Sequence, residues 1–178
     1  MLYSYLQVGK LAFLYSIRVS IIIFIMFTSI KFLVKRKLEF KPINIVCEFA
    51  WVLTVIVILN ITGIMGPMRG DFGTTSIFNG NVQLRFKLFE EGLSTVSLLN
   101  MTLFIPFGFF SPIVFKKLGD KWSYGILIGL VFSVIIEFIQ TFIGRFVQLD
   151  DVLMNTIGTF IGYEIWFWLS KLIKSQKK

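Results

Sequence analysis

The chain has 178 residues, 56% of them hydrophobic and 17% aromatic, and its mean hydropathy is +0.80. Soluble domains contain about 45–50% apolar residues, so this composition indicates an integral membrane protein. The chain has no His and a single Cys, Cys47, which excludes imidazole catalysis, an intramolecular disulfide and a cysteine-rich zinc site. We expect no metal and no cofactor, and we attribute the formal net charge of +8 to basic cytoplasmic loops rather than to a nucleic-acid surface.

Five apolar stretches are long enough to cross a bilayer, which takes about 20 residues of helix. In chain order they are Leu11–Val34, Ile43–Met65, Ser94–Phe115, Trp122–Ile143 and Val152–Ser170. They predict an all-α fold, an integral membrane bundle of five transmembrane helices. Arg18 lies inside the first stretch and raises its insertion free energy by about 2.5–3.5 kcal/mol. If that stretch lies only at the membrane surface, four transmembrane helices remain.

Basic residues indicate how these helices are oriented. Most of them follow the first stretch, separate the third from the fourth, or end the chain: Lys31, Lys35, Arg36, Lys37, Lys41, Lys116, Lys117, Lys121, Lys171, Lys174, Lys177 and Lys178. The positive-inside rule makes these segments cytoplasmic, so we expect the N-terminus outside and the C-terminus inside. Residues 1–65 then hold two helices and a basic cytoplasmic loop, residues 66–170 an outer loop and three helices, and residues 171–178 a basic tail. LRFKLFEEGL, at 84–93 in the outer loop, predicts a short interfacial helix.

Strongly polar side chains lie near the helix ends predicted to face outward. Glu137 is about 9 Å from the outer end of the fourth stretch at 1.5 Å per residue, and Asn100, Gln140 and Asn155 lie at similar or smaller depths. An ionisable residue inside the membrane indicates function, although a neutral Glu137 hydrogen-bonded within the bundle is the alternative. Arg18, at a similar depth, is assigned a structural role as a salt-bridge partner for Glu137.

The fourth and fifth stretches are joined by a short turn, which predicts an antiparallel hairpin. Glu137 and Gln140 share one helical face, as do Asn155, Gly158 and Gly162. We expect Gln140 to face Asn155, and Glu137 to face Gly158. The two glycines form a G-x-x-x-G pattern that allows helices to approach closely, which is a structural role.

The turn of this hairpin carries Arg145, Asp150 and Asp151. A guanidinium is suited to a phosphate or carboxylate, and the two acids would complete a polar site. The structural alternatives are a solvated Arg145 near lipid headgroups, acids that cap the fifth helix, and asparagines that only bridge helices.

Two other features are interpreted as structural. Pro106 has no N–H, so we expect a break in the third helix that frees the carbonyl of Thr102. Glu48 is the acid that we place in the inner half of the bundle, close to Lys41.

Two blocks of the sequence resemble the VanZ-like family of bacterial membrane proteins. LLNMTLFIPFGFFSPIVF, from Leu98 to Phe115, is similar to the family's N-x-x-x-F-I-P-F-G signature, in which Pro106 and Gly108 are taken as structural. IEFIQTFIGRFVQLDDVLMNTIGTFIGY, from Ile136 to Tyr163, is similar to its E-x-x-Q and D-D-V-x-x-N-x-x-G block. The outer loop lacks the N-L-x-P-F-like segment of many relatives, so no role is carried over for it. The resemblance implies a multi-pass protein of the bacterial cell membrane, from a family named after a protein associated with resistance to the lipid-tailed glycopeptide teicoplanin.

Three hypotheses about function follow. The favoured one is a non-enzymatic protein whose outer polar site binds a lipid-linked or amphipathic ligand, with a role in glycopeptide or lipopeptide resistance or in envelope maintenance. The site would comprise Asn100, Glu137, Gln140, Arg145, Asp150, Asp151 and Asn155. The expected partners are membrane lipids, and beyond them a lipid-linked wall precursor or a lipophilic antibiotic. The alternatives are a carboxylate enzyme using Glu137 and Asp151 on such a lipid substrate, with Asp150 and Asp151 as ligands for a divalent ion, and a purely structural, partner-binding protein.

Overall fold

The computed structural model describes residues 2–35, 41–66, 84–85, 92, 95–143 and 147–176, with the side chains of 2–12, 35, 84–85 and 147 left out of the description. Its helices are α1 (Leu2–Lys35), α2 (Pro42–Ile61), α3 (Thr95–Val114), α4 (Ser123–Phe142) and α5 (Leu149–Ser175). A single 3-10 turn, Lys116–Gly119, lies between α3 and α4. Two-residue strands, β1 (Leu84–Arg85) and β2 (Val147–Gln148), pair in parallel. The predicted all-α membrane bundle is therefore confirmed.

Four of the helices in the described residues are long and apolar enough to cross a membrane: Phe13–Val34 within α1, Pro42–Ile61, Thr95–Val114 and Ser123–Phe142. The first predicted stretch, whose ability to cross the membrane Arg18 had made uncertain, is one of these four helices. α5 does not meet the same criterion of length and hydropathy. α5 is nevertheless 27 residues long. Its Asp151, Asn155, Gly158 and Gly162, which are less apolar than Leu or Ile, make contacts with α3 and α4 that are described below.

Side-chain contacts show that helices adjacent in sequence run antiparallel. Ser16, near the middle of α1, accepts a hydrogen bond from Asn60 at the end of α2, whereas Lys31 near the end of α1 pairs with Glu48 near the start of α2. Trp51, in the first half of α2, donates to Ser111 near the end of α3. α3 and α5 run parallel and make the most extensive contact in the bundle. The helices consequently alternate in direction, and each end of the bundle collects residues from every helix.

Aromatic and branched side chains fill the interior between α2, α3 and α4. Ile58, Phe104, Phe107 and Ile136 form a buried cluster. The rings of Phe107 and Phe132 stack with centroids 4.5 Å apart. These buried side chains hold α2, α3 and α4 together. The many Ile, Leu and Phe side chains exposed on the outside of the bundle are suited to contact with lipid.

One end of the bundle, here called the basic end, carries Lys residues of the described segments: Lys31, Lys41, Lys116, Lys117, Lys121, Lys171 and Lys174. There Lys31 on α1 forms an ion pair and hydrogen bond with Glu48 on α2. Glu48 therefore has a structural partner, which is Lys31 rather than the nearby Lys41.

Two local expectations differ from the structure. α3 continues from Thr95 to Val114 through Pro106, so the predicted break is absent. Pro106 is exposed, and Thr102, whose carbonyl it leaves without a helical N–H, bonds the Leu98 carbonyl through its own hydroxyl. The predicted interfacial helix at 84–93 begins instead with β1, and the rest of it, except Gly92, lies outside the described residues.

Candidate functional site

Polar side chains converge at the opposite end, where α2 ends, α3 begins, α4 ends and α5 begins. We call this the polar end. Its buried polar residues include Asn60, Ser133, Glu137, Gln140 and Asn155. Asn100, Asp150 and Asp151 are partly buried around them. The sequence-predicted site residues that the structure describes are therefore brought to one end of the bundle.

The contact between α4 and α5 fixes which residues of the hairpin meet. Asn155 donates to the Ser133 hydroxyl over 2.8 Å. One turn closer to the start of α4, a Cβ added to Gly129 would lie 2.7 Å from the Thr159 side chain. After another turn in the same direction, a Cβ added to Gly125 would lie 2.7 Å from the Tyr163 ring. The small residues of α4 therefore accept the larger side chains of α5.

This register corrects the predicted hairpin. Asn155 faces Ser133 rather than Gln140, a shift of about two helical turns along α4. Matching polar residues to one another gave the wrong register because the fit of Gly125 and Gly129 to Tyr163 and Thr159 determines it. The pattern Gly125-x-x-x-Gly129 was readable in the sequence and would have indicated this face of α4.

Gly158 was expected to face Glu137 on α4. In the structure, Gly158 and Gly162 pack against α3 instead. A Cβ on Gly158 would lie 2.0 Å from the Met101 carbonyl oxygen, and one on Gly162 would lie 1.9 Å from the Ile105 carbonyl oxygen. From the other side, a Cβ on Gly108 would lie 1.9 Å from the Thr159 carbonyl oxygen. All three glycines thus allow direct backbone contact between α3 and α5, and this contact brings Asn100 to Asp151.

Gln140 joins α4 to the end of α2. Its Nε2 donates to the carbonyl oxygen of Thr62 over 2.8 Å, while its Oε1 is buried and has no hydrogen-bond partner among the described residues. Thr62 was not foreseen, since a backbone carbonyl leaves no signature in a sequence.

Glu137 holds the segment that leads into α5. Its Oε2 accepts a hydrogen bond from the backbone N–H of Gln148 over 3.1 Å, and the residue is 4% exposed. Gln148 belongs to β2, whose parallel pairing with β1 joins the α4–α5 connection to the long loop before α3. Glu137 therefore supports the backbone that crosses the polar end.

Asn100 and Asp151 join α3 to α5. The Asn100 Nδ2 donates to Asp151 Oδ1 over 2.7 Å. Asp150 and Asp151 lie in the first turn of α5, where acids interact favourably with the helix dipole. The N-cap position itself is Gln148, without a side-chain capping bond, and the hydrogen bond from Asn100 makes Asp151 a link between α3 and α5.

Asn155 lies at the inner limit of this network. It is 1% exposed, and its backbone carbonyl accepts the Thr159 hydroxyl. Its Oδ1 is buried without a partner in the described part of the chain. Two side chains of the polar end, Gln140 and Asn155, therefore each retain one unused buried acceptor.

The remaining predicted residues are placed differently. Arg18 is exposed on α1, between Ser16 and Ser20, which are buried toward α2. The predicted pairing with Glu137 is wrong for this geometry, because the Arg18 side chain points away from the bundle interior. Arg145 lies outside the described residues. No group of three His, Cys, Asp or Glu side chains able to hold a metal ion occurs among the residues described.

An apolar groove of about 460 Å³ lies on the outward face of α5, away from the polar end. Its lining is Phe160, Ile161, Glu164, Ile165, Trp168 and Leu169. The groove is open, and Glu164 is its one charged side chain, so it lacks the converging polar groups of the polar end. Glu164 was missed by the sequence interpretation, which named Glu48 alone in the inner half although Glu164 lies within the fifth predicted stretch.

The fold and the polar end together define a multi-pass membrane protein with a polar cluster at one end of its bundle. The chain belongs to the VanZ/LLP1 family, whose model matches residues 12–170. The match includes most of α1 and all of α2, beyond the two blocks that carried the resemblance. The chain is also similar to Protein VanZ of Enterococcus faecium, with 37% identity over 81 residues, which is 44% of this chain and 48% of that protein. The match thus spans about half of that relative. No solved structure matches the chain.

Proposed function

We propose that this VanZ-family membrane protein binds the polar head of a lipid-linked or amphipathic ligand at its polar end, without catalysis. The observation that carries the proposal is the pair of buried, unpartnered acceptors on Gln140 and Asn155. A buried acceptor without a donor costs about 1–3 kcal/mol. A ligand that supplied donors would offset this cost.

The distribution of charge supports an outward-facing site. Lys residues concentrate at the basic end, which the positive-inside rule makes cytoplasmic. The polar end is then in the outer leaflet, where lipid-tailed antibiotics and the lipid-linked wall precursors that glycopeptides bind would meet it. A role in resistance to lipid-tailed glycopeptides, or in envelope maintenance, follows from this position and from the family.

The proposal is tested by expressing the protein and its variants in a susceptible bacterium. We expect the wild type to raise the inhibitory concentration of teicoplanin, but not that of a glycopeptide without a lipid tail. Gln140→Leu should lose this effect while reaching the membrane in equal amount. Thr102→Val is the matched control, because Thr102 is exposed and its hydroxyl bonds only the carbonyl of Leu98 in its own helix. Equal protection by the wild type and Gln140→Leu would contradict the proposal.

A structural function is the second candidate, and a specific observation favours it. The Gln140 amide bridges α4 to α2, and the Asn155 amide bridges α5 to α4. If these bonds served only the bundle, Gln140→Leu would lower stability and leave antibiotic susceptibility as in the wild type. Measuring unfolding and susceptibility on the same variants separates the two functions.

A further inference from the structure

The amide donors at the polar end are directed at protein acceptors. Asn100 donates to Asp151, Gln140 to the Thr62 carbonyl, and Asn155 to the Ser133 hydroxyl. The buried side-chain oxygens of Gln140 and Asn155 remain without a partner among the described residues. Among the described buried atoms of the site, those with no hydrogen-bond partner at all are therefore these two acceptors.

The orientation of Gln140 follows from its partner. A backbone carbonyl can only accept a hydrogen bond, so the Gln140 nitrogen must face Thr62 and the oxygen must point away from it. The same reasoning directs the Asn100 nitrogen toward the Asp151 carboxylate. At Gln140, a rotated amide that offers a donor to the site would lose the bond to Thr62.

The two unused oxygens lie on either side of Glu137. Asn155 is bonded at the level of Ser133, and Gln140 lies seven residues further along α4, which is about 10 Å at 1.5 Å per residue. Glu137 lies between these levels on the same face, where its carboxyl already accepts the Gln148 N–H. Acceptor oxygens thus follow one face of α4 from its interior toward its end.

We infer that the ligand is recognised through a protonated amine at its polar head. This inference rests on the proposed function, because it names the chemistry of the ligand at that same site. An ammonium group carries three donors and no acceptor, which complements the unpartnered oxygen of Gln140 and the Glu137 carboxyl one helical turn away on the same face of α4. The level of Asn155, about 10 Å from that of Gln140, is beyond the reach of the same ammonium. Charge-assisted hydrogen bonds are also about twice as strong as neutral ones. At the two unpartnered oxygens a phosphate head would place oxygen against oxygen, so it satisfies neither of them.

The test compares three single-chain amphiphiles with the same tail on the full-length protein, purified in a neutral maltoside detergent. The probes are dodecylammonium, dodecanol and dodecyl phosphate. Thermal unfolding, followed by Trp fluorescence, gives apparent affinities because a ligand that binds the folded state raises the unfolding temperature. We expect dodecylammonium to bind at least about tenfold more tightly than dodecyl phosphate, a difference of about 1.4 kcal/mol.

Variants assign the preference to the site. Gln140→Leu should weaken dodecylammonium binding about tenfold or more, which corresponds to about 1.4 kcal/mol. Glu137→Gln keeps an acceptor but removes the carboxyl, and should reduce the preference for dodecylammonium over dodecanol. Thr102→Val should bind all three amphiphiles as the wild type does.

The outcomes separate this inference from the proposed function. Tighter binding of dodecyl phosphate, lost in Gln140→Leu, would overturn the amine inference and leave ligand binding at the polar end intact. Equal binding of the three amphiphiles that no variant changes would overturn both, and would indicate that water alone satisfies the buried oxygens. The ranking on the wild-type protein needs no variant, so it tests the inference even if Gln140→Leu does not fold.

Discussion

At the scale of single residues, the hydrogen bond between Ser133 and Asn155 is the most deeply buried link of the polar end. Both residues are almost fully buried, at 0% and 1% exposure. We predict that Ser133→Ala and Asn155→Ala are coupled by about 0.6–1.7 kcal/mol, from the average to the maximum of interhelical hydrogen bonds measured by such cycles in a membrane protein. A double-mutant cycle of unfolding free energies in mixed detergent micelles measures the coupling. If the losses in unfolding free energy of the two single variants add up to that of the double variant, the hydrogen bond between Ser133 and Asn155 contributes nothing to stability.

The sequence identifies individual polar residues of the site, but not their partners. Glu137, Gln140 and Asn155 stand out because polar side chains are costly in an apolar stretch. Their partners include the carbonyl of Thr62 and the backbone N–H of Gln148, which every residue type other than proline possesses. Only the folded arrangement decides which of these backbone groups meets a given side chain.

At the scale of helices, the backbone contact between α3 and α5 depends on glycine. We predict that Gly158→Ala lowers the unfolding free energy by about 1–3 kcal/mol, because the new Cβ would lie 2.0 Å from the Met101 carbonyl oxygen. Ala favours an isolated helix by about 1 kcal/mol over Gly, so intrinsic helix propensity acts against this loss. Detergent-induced unfolding measures the change, with Ile157→Val on the exposed face of α5 as the control. An equal or greater stability of Gly158→Ala would mean that α3 and α5 are further apart.

The boundaries of the third and fourth helices follow from the sequence far better than the registers between helices do, whereas α1 begins at Leu2, well before the predicted Leu11. The third stretch was predicted as Ser94–Phe115 and α3 is Thr95–Val114; the fourth was predicted as Trp122–Ile143 and α4 is Ser123–Phe142. A span is defined by composition along one chain, which the sequence states directly. A register is set by complementary shapes on two helices, as at Gly125 and Tyr163, and polarity alone misplaced it.

At the scale of the whole molecule, charge and buried polarity separate to opposite ends of the bundle. The exposed Lys116, Lys117 and Lys121 lie at the basic end, with the last turns of α5. The buried Gln140 and Asn155 lie toward the polar end. α5 joins the two ends, and its polar and small residues make it less apolar than the other helices because two of its faces contact α3 and α4 rather than lipid.

This separation predicts the orientation of the protein in the membrane. The single cysteine allows a cysteine-free background through Cys47→Ser, into which Thr95→Cys or Asp120→Cys introduces one thiol. Thr95 is exposed where α3 begins at the polar end, and Asp120 is exposed at the basic end. Because basic segments stay in the cytoplasm, a membrane-impermeant maleimide should label Thr95→Cys in intact cells. Asp120→Cys should react only after permeabilisation, which also shows that its thiol is accessible. The reverse pattern would place the polar end inside the cell and remove it from contact with extracellular antibiotics.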